Sequence, residues 1–514
     1  MKYLYGIAVF ACVILWSSCR NDFETIASAG NLEFSRDTVY LDTVFSNIGS
    51  STYNLKVYNR SDEDIHIPTI GLERGEASGY RLNVDGVPGK SFQDVTVLAK
   101  DSIFIFIETT VDFENFPNPD NAFLYTDKIV FDGNGSRQDV ELVTLIQDAV
   151  FLFPERFKDG TVETLNLGVD GDGNDILVEG FFLEEDELNF TNEKPYVIYG
   201  FAAVPPERTL EIDAGARIHF HADSGLLVAN TASIHSNGQP STDPELMENE
   251  VIFEGDRLEP GFSDIPGQWL TIWLTQGSTD NIFTNTTIKN SVVGILNDNS
   301  PLSLRDVQIY NSSNVGLLAR NATVTGDNVV INNSGQTSLA CSLGGDYVFN
   351  HSTFANYWNN SFRVFPAVLI DNVLELEDET ITEPLVRAEF NNCIIYGSEQ
   401  REIVLVKDDS EQFNYKFNHC LIRFEDPNDE FLNDPLYQFE DGIFYVEVVR
   451  NQDPEFFDTE LNNFNIETGT SGADGIGEPG IGPPLDIDQK PRGSQPDAGA
   501  YESIVFPDPP GGTP

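Results

Sequence analysis

The chain has 514 residues, and its 83 acidic side chains against 29 basic ones give a formal net charge of −54. A surface this acidic repels phosphate backbones, so the composition argues against nucleic acid as a partner. With 40% hydrophobic and 11% aromatic residues the chain can still bury a core, which argues against global disorder. The length predicts two or more domains, or one domain joined to an array of repeats.

Residues 1–18 have the layout of a secretory signal. A basic start precedes an apolar run from Leu4 to Trp16, which is too short to span a bilayer. The following Ser17-Ser18-Cys19 resembles a bacterial lipobox, in which the cysteine is lipidated and becomes the new N-terminus. A plain signal peptide with an unrelated cysteine is the alternative. The lipobox interpretation predicts a lipid on Cys19, an outer-membrane location at the cell surface, and contact with the membrane through that lipid.

The remaining cysteines predict neither disulfides nor zinc. Of five cysteines, Cys12 and Cys19 belong to the signal, which leaves Cys341, Cys393 and Cys420. Three widely spaced thiols are not a disulfide framework, and no Cys-x-x-Cys or Cys/His cluster has zinc-ligand spacing.

Residues 31–150 alternate apolar and polar side chains in short runs, such as Ile103-Phe104-Ile105-Phe106-Ile107, with turn residues between the runs. This pattern predicts an antiparallel β-sandwich. The segment from Gly49 to Ser61 resembles the start of immunoglobulin-like modules found beside β-helices in Bacteroidota surface proteins. We interpret residues 151–194 as a connecting segment.

An internal repeat is the strongest signal that follows. Seven-residue units such as Asn285-Thr286-Thr287-Ile288-Lys289-Asn290-Ser291 recur after 21, 22 and 23 residues and then again further on. This period, with several short β segments in each repeat, predicts the coils of a parallel β-helix. The units begin at Asn285, Asp306, Asn328, His351, Asn392 and His419.

Alternation within each unit predicts which side chains stack inside the coils. The second and fourth residues should point inward, and Asn290, Asn311, Asn333 and Asn356 should form a ladder of stacked amides at a turn. The first residue of each unit, including His351 and His419, should point outward. The 41-residue gap between His351 and Asn392 predicts an inserted loop around Asp371–Glu383.

The chain resembles the right-handed parallel β-helix proteins, with the pectin-lyase-like fold, of Bacteroidota lipoproteins. The resemblance covers residues 195–503, with residues 504–514 left as a flexible tail. It implies an all-β fold, an immunoglobulin-like β-sandwich followed by a right-handed parallel β-helix, and it implies no single activity. It rests on Leu210-x-Ile212-x-Ala214-Gly215-Ala216, Gly267-Gln268-Trp269-Leu270 and Pro496-Asp497-Ala498-Gly499-Ala500-Tyr501-Glu502.

Enzymes of that fold carry motifs that this sequence lacks. Their glycosidases use paired carboxylates near a Gly-His-Gly and an Arg-Ile-Lys, and neither tripeptide occurs here. The only Asp-Asp pair, Asp408-Asp409, would point to opposite faces of a strand, so a solvated loop explains it better. The catalytic residues, if there are any, stay unknown.

Calcium is the one metal that the sequence suggests. Asp170, Asp172 and Asn174 alternate with glycine, as oxygen ligands of a hard cation do. The sixth and twelfth positions depart from the EF-hand pattern, and a Gly/Asp hairpin turn explains the segment equally well.

Two further sets of side chains carry hypotheses. Thr38, Thr43 and Ser102 follow aspartates, as in the Asp-Ser/Thr-apolar pattern for O-glycosylation of exported Bacteroidota proteins. A second set consists of aromatic residues that we expect on an outer face, where exposed aromatics of a β-helix can stack against sugar rings. The alternative is that these aromatics pack beneath the inserted loop. That set is Tyr310, Tyr357, Trp358 and Tyr396.

The sequence therefore predicts an exported surface lipoprotein with a binding or adhesion role, towards a glycan or a surface protein. The alternative is a polysaccharide-active enzyme, either a calcium-assisted lyase or a glycoside hydrolase. A purely structural surface-layer component is a third interpretation.

Overall fold

A computed structural model describes residues 25–28, 30, 32–113, 121–133, 135–169, 171, 173–243, 246–376 and 379–507. The predicted signal, Cys19 and the end of the predicted tail lie outside these residues. The described chain is all-β, with no α-helix and only four short 3-10 helices. None of its helices has the length and apolar character needed to cross a membrane. The chain divides into two compact units between Asp148 and Ala149.

The first unit contains eleven strands and one 3-10 helix, Gly75–Ala77, among its described residues. The strands are β1 (Ile26–Ala27), β2 (Glu33–Phe34), β3 (Thr38–Phe45), β4 (Tyr53–Tyr58), β5 (Ile65–Leu72), β6 (Tyr80–Val84), β7 (Val87–Gly89), β8 (Ser91–Val97), β9 (Ser102–Thr109), β10 (Ala122–Asp132) and β11 (Arg137–Gln147).

These strands form two sheets that share one core. One sheet has the order β1-β5-β10-β11-β3 with β8 also on β5, and the other has the order β2-β4-β9-β6-β7. The predicted alternation is confirmed in β9, where Ile105 and Ile107 are fully buried while Phe104 and Phe106 are each 42% exposed. Since side chains alternate across a strand, each sheet buries one face in the common core.

The second unit contains 32 strands among its described residues, and three 3-10 helices at Glu185–Glu187, Pro260–Phe262 and Pro435–Tyr437. The strands are β12 (Val150–Leu152), β13 (Thr164–Val169), β14 (Asp175–Phe182), β15 (Asn189–Phe190), β16 (Tyr196–Ile198), β17 (Phe201–Val204), β18 (Thr209–Ile212), β19 (Arg217–Phe220), β20 (Gly225–Val228), β21 (Ser233–Asn237), β22 (Val251–Gly255), β23 (Ile272–Leu274), β24 (Asn281–Lys289), β25 (Val293–Asp298), β26 (Pro301–Ser312), β27 (Val315–Arg320), β28 (Thr323–Ser334), β29 (Leu339–Ser342), β30 (Gly345–Asn350), β31 (Thr353–Asn356), β32 (Val368–Asp371), β33 (Val373–Glu375), β34 (Thr380–Thr382), β35 (Leu385–Asn391), β36 (Ile394–Gly397), β37 (Ile403–Val406), β38 (Phe413–Asn418), β39 (Leu421–Ile422), β40 (Tyr445–Val446), β41 (Val449–Arg450), β42 (Phe456–Asp458) and β43 (Asn463–Ile466).

Most of these strands belong to two large sheets, one of 18 strands and one of ten. The chain passes from one sheet to the other and back, so that β24, β26 and β28 pair in parallel in the first while β25, β27 and β29 pair in the second. Thr286 aligns with Val307 and Val307 with Val329, which is the predicted stacking of the repeat units. This parallel, repeat-like architecture is compatible with the predicted β-helix.

The first residue of each predicted unit makes a corner in the backbone. Asn285, Asp306, Asn328, His351, Asn392 and His419 all have φ between 43° and 55°. Asparagine, aspartate and histidine tolerate this left-handed region better than most residues, which explains why they recur at this position.

The interior of the second unit is built from stacked side chains. Asn311 donates to Asn290 at 3.2 Å, and Asn333 donates to Asn311 at 2.7 Å, which confirms the predicted ladder for three members. The fourth, Asn356, bonds instead to the backbone carbonyls of Ser334 and Gln336. Cys341, Cys393 and Cys420 are free and buried, and burial raises the pKa of the Cys341 and Cys393 thiols.

Two segments interrupt or cover the repeats. The predicted insertion contains the hairpin of β33 and β34, and the loop before β32 is tied down by a buried ion pair between Arg363 and Glu402. Residues 456–501, the covering segment, contribute Phe464, Ile466 and Ala498 to clusters on the outer face of the 18-stranded sheet.

The side chain of His351 points outward from the repeats, as predicted, but it is not exposed, because the covering segment buries it fully.

Candidate functional site

A cleft of about 620 Å³ opens on the outer face of the ten-stranded sheet. Its floor comes from successive strands of that sheet, and its walls come from residues of two hairpins, β13–β14 and β33–β34. We call it the tryptophan cleft. Its lining residues are Leu165, Asn166, Leu167, Phe182, Leu227, Ala229, Asn230, Trp273, Thr275, Gln276, Asp298, Asn299, Arg320, Asn321, Leu343 and Leu374.

Trp273 provides the aromatic floor of the cleft. Strand β23 alternates, so Ile272 and Leu274 are fully buried while Trp273 points outward and is half-buried. The neighbouring strands place Leu227 and Leu296 beside it in register. An apolar stripe with a large, partly exposed ring therefore forms the floor of the cleft.

Asp298 fixes the indole ring from the next repeat. The Trp273 Nε1–H donates to Asp298 Oδ2 at 2.8 Å. Arg320, one repeat further on and in register with Asp298, donates to both oxygens of the same carboxylate at 2.5 and 2.8 Å. The single carboxylate and the single guanidinium among the described lining residues thus neutralise each other.

Side-chain amides supply most of the remaining polar groups. Each amide offers two donors and one acceptor, so closely spaced hydroxyl groups of a ligand could bond to them. Asn299 and Asn321 stand at consecutive corners, with φ of 46° and 47°, which repeats the same group from one repeat to the next. The amide residues are Asn166, Asn230, Gln276, Asn299 and Asn321.

The β13–β14 hairpin packs directly on the sheet beside this floor. Leu165 of the hairpin shares an apolar cluster with Leu227 and with the partly buried Trp273. Asn166 donates to Asp175 across the hairpin at 3.1 Å and accepts from the Gly168 backbone at 2.8 Å. Apolar contacts therefore hold the hairpin against the sheet, and hydrogen bonds within the hairpin hold its two strands together.

The predicted sugar-stacking aromatics lie elsewhere, on the 18-stranded sheet. Tyr396 is 9% exposed under the guanidinium of Arg423, and Tyr357 contacts Phe456 and Phe464 of the covering segment. These two rings pack beneath the covering segment rather than beneath the inserted loop, because the chain returns over this face.

The other two aromatics are half-buried. Trp358 donates to Ser361 at 2.9 Å within its own loop. Tyr310 lines a separate cleft, and burial raises the pKa of its hydroxyl to about 12. The four rings therefore do not form one open row.

The predicted calcium ligands Asp170 and Asp172 lie outside the described residues. Asn174 is exposed directly before β14, in the turn of the hairpin that walls the cleft. Among the described residues, no three His, Cys, Asp or Glu side chains come together as a metal site. Asp408 caps its own turn by accepting from Ser410, and Asp409 pairs with Lys407 in the same exposed loop.

The predicted O-glycosylation residues lie in strands of the first unit. Thr38 and Thr43 belong to β3, Ser102 begins β9, and all three are partly exposed. Their modification stays a prediction.

Sequence reasoning missed the tryptophan cleft although the signal was present. The alternation Ile272-Trp273-Leu274 places a tryptophan outward where neighbouring repeats carry leucine. Asp298 and Arg320 also stand 22 residues apart, which is one repeat. The predicted outward aromatics all belong to the other series of the repeat or to the loop after it, whereas Trp273, Asp298 and Arg320 lie on the ten-stranded sheet.

No protein-family model matches this chain, and no curated protein is similar to it in sequence. Solved structures with local similarity include a family 123 glycoside hydrolase from Clostridium perfringens, at 7% identity and TM-score 0.17, over 23% of this chain and 26% of that one. The VesB protease of Vibrio cholerae aligns at 9% identity and TM-score 0.15, over 23% and 31% of the two chains.

The periplasmic chaperone SfaE aligns at 14% identity and TM-score 0.16, over 29% of this chain and 82% of its own. This chain thus spans about a quarter of the hydrolase and less than a third of the protease. TM-scores this low carry no argument about fold or function.

Proposed function

We propose that this protein is an exported, lipid-anchored surface protein that binds neutral glycans in the tryptophan cleft without chemically changing them. In this proposal Cys19 carries the lipid, the first unit is an immunoglobulin-like spacer, and the second unit is a right-handed parallel β-helix. The observation that carries the proposal is the half-buried Trp273, held by Asp298 and surrounded by five side-chain amides.

The chemistry of the cleft suits a sugar. A sugar ring has an apolar face that can lie on an indole, and its rim of hydroxyl groups matches amides that both donate and accept. Because Arg320 and Asp298 are paired, the lining is close to neutral while the whole protein carries a charge of −54. A polyanionic sugar would be repelled by that charge, so neutral glycans are favoured.

Binding is favoured over hydrolysis because glycosidases use two carboxyl groups. The described lining of the tryptophan cleft offers one, and Asp298 already accepts three hydrogen bonds. The alternative, a lyase or hydrolase, requires a second acid or a base that converges on the same sugar.

A glycan array with fragment 20–514 tests the proposal. We expect retention on neutral glycans, and we expect Trp273→Ala to weaken it at least about fivefold, since stacking contributes on the order of 1 kcal/mol or more. Phe362→Ala is the matched control, because this ring is 89% exposed on another loop. Loss of binding in Trp358→Ala but not in Trp273→Ala would instead place the site at the aromatics predicted from the sequence.

Two further measurements separate the alternatives. Incubation with polysaccharides and calcium, followed by unsaturated-product absorbance and reducing ends, should show no turnover; turnover would favour the enzyme. Palmitate labelling should mark the wild-type chain and spare Cys19→Ala, and an unlabelled wild type would refute the lipid anchor.

A further inference from the structure

The 18-stranded sheet carries a second cleft on its outer face, of about 410 Å³, bounded on one side by the covering segment. Strands β24 and β26 contribute Asn285, Gln308 and Tyr310, and the covering segment contributes Asp488 and Tyr501. We call it the tyrosine cleft. It lies on a different sheet from the tryptophan cleft and is independent of it.

The lining of this cleft holds polar side chains that have no partner. Asn285 is 9% exposed and Tyr501 is 6% exposed, yet neither side chain makes a hydrogen bond to any described residue. The same holds for the more accessible side chains of Gln308 and Tyr310. Deeply buried polar side chains are normally bonded, so Asn285 and Tyr501, with the more accessible Gln308 and Tyr310 beside them, indicate an occupant that bonds to them.

The charge of the cleft is negative and only partly compensated, because Lys490 binds one of its three carboxylates, Asp488, at 2.9 Å. Glu250, Asp306 and Asp488 line it, and its described lining contains no Lys, Arg or His. Burial raises the pKa of Glu250, and the negative charge of Asp488 adds to this. Burial likewise raises the pKa of Asp306 to about 6. A cation bound in the cleft would stabilise the charged forms of Glu250 and Asp306 and would therefore lower the pKa of each.

The nearest bases are already engaged. Lys289 acts on Tyr310 electrostatically, but its ammonium binds Glu254 at 2.9 Å. Arg217, whose charge opposes the pKa rise of Glu250, donates to the backbone carbonyls of Glu250 and Met247 at 2.6 Å each. Neither side chain is among the residues that line the cleft.

We propose that the tyrosine cleft binds a small organic cation that carries a primary ammonium group beside hydroxyl groups, of which an amino sugar is the simplest example. The ammonium bonds to the carboxylate of Glu250, since it offers three donors and needs acceptors only. The hydroxyl groups satisfy Asn285, Gln308 and the two phenols. The tyrosine rings add a cation–π contribution, and a volume of about 410 Å³ suits one or two sugar rings.

Calorimetric titration of fragment 20–514 with glucosamine, glucose and N-acetylglucosamine at neutral pH tests this. We expect glucosamine to bind at least about tenfold more tightly than the two uncharged sugars, which corresponds to one charge-assisted contact. Glu250→Gln and Tyr501→Phe should each weaken glucosamine binding about tenfold. Asp409→Asn is the charge-matched control, because this carboxylate is 90% exposed and far along the chain in another loop.

Tyr501→Phe keeps the experiment decisive, since it removes only a hydroxyl that has no partner and should leave the circular dichroism spectrum unchanged. Equal affinity for glucose and glucosamine, or full glucosamine affinity in both variants, would overturn the proposal. Tight binding of calcium in place of glucosamine, lost in Glu250→Gln, would overturn it in favour of a metal site. None of these results depends on Trp273.

Discussion

The two large sheets of the second unit present similar outward side chains and use them differently. On the 18-stranded sheet, Val330, Ala355 and Ile394 are buried beneath the covering segment. On the ten-stranded sheet, Trp273 and the neighbouring Leu296 stay half-buried. The same alternation therefore makes a second core on one face and an open apolar floor on the other. The two faces differ because the covering segment packs on the 18-stranded sheet, and no local sequence pattern encodes which sheet it covers.

Replacing one aromatic on each face would test this comparison most strongly. Phe464 of the covering segment is 1% exposed and its ring lies 4.9 Å from that of Phe456, so Phe464→Ala should lower the free energy of unfolding by roughly 3–5 kcal/mol. Trp273→Ala should cost much less stability, because its ring is half-buried. Urea denaturation of both variants measures the difference, and equal losses would mean that the two faces are packed alike.

Two ion pairs allow a second comparison, between a buried pair and a partly exposed pair. Arg363 and Glu402 are 1% and 0% exposed, whereas Arg320 and Asp298 are 44% and 20% exposed. Arg363→Ala leaves a buried carboxylate unpaired and should cost roughly 3–5 kcal/mol, against about 1 kcal/mol or less for Arg320→Ala. Thermal unfolding in low and high salt checks this, since only the exposed pair should respond to screening.

The asparagine ladder between the sheets comes next in expected effect. Asn311→Ala removes the donor to the amide oxygen of Asn290 and the acceptor for the amide group of Asn333. The loss of both hydrogen bonds should lower the free energy of unfolding by roughly 2–4 kcal/mol. Asn321→Ala is the control, because Asn321 also has a positive φ but belongs to no ladder. A similar loss in both variants would show that backbone strain, and not the ladder, is being measured.

The smallest effect concerns pH. Asp306 has its pKa raised to about 6 by burial, so the folded state holds its proton more tightly than the unfolded state does. Its contribution to stability is complete below the usual pKa of 3.8 and is lost as the pH rises through about 6. Asp306→Asn should therefore stabilise the protein by roughly 1–3 kcal/mol at pH 7, and this gain should disappear near pH 4.

Asparagine suits the left-handed corner at position 306 as well as aspartate does, so the backbone should not obscure this result. Asp409→Asn serves again as the exposed control. A stabilisation that persists unchanged at pH 4 would show that burial of the charge is not its cause.

The sequence predicted what depends on neighbours in the chain or on the repeat. The start of each repeat unit, the inward Ile288 and Ile309, and most of the asparagine ladder follow from a fixed period and from alternation. The burial of His351 and Tyr396 did not follow, because residues of the covering segment, at least 60 positions later, cover them. The tryptophan cleft falls between these cases, since Trp273 could be placed outward but the hairpin beside it could not.

The three buried cysteines have a consequence for how the second unit opens. Fragment 20–514 contains no other thiols, and each one sits at a different height in the stack of repeats. A thiol reagent can modify Cys341, Cys393 or Cys420 only when the repeat around it separates, so each modification rate reports the free energy of a local opening. Because repeats contact only their neighbours, the array should fray from its ends, and Cys420 should react before Cys341. The unpaired thiols would thus reveal in which order the repeats come apart.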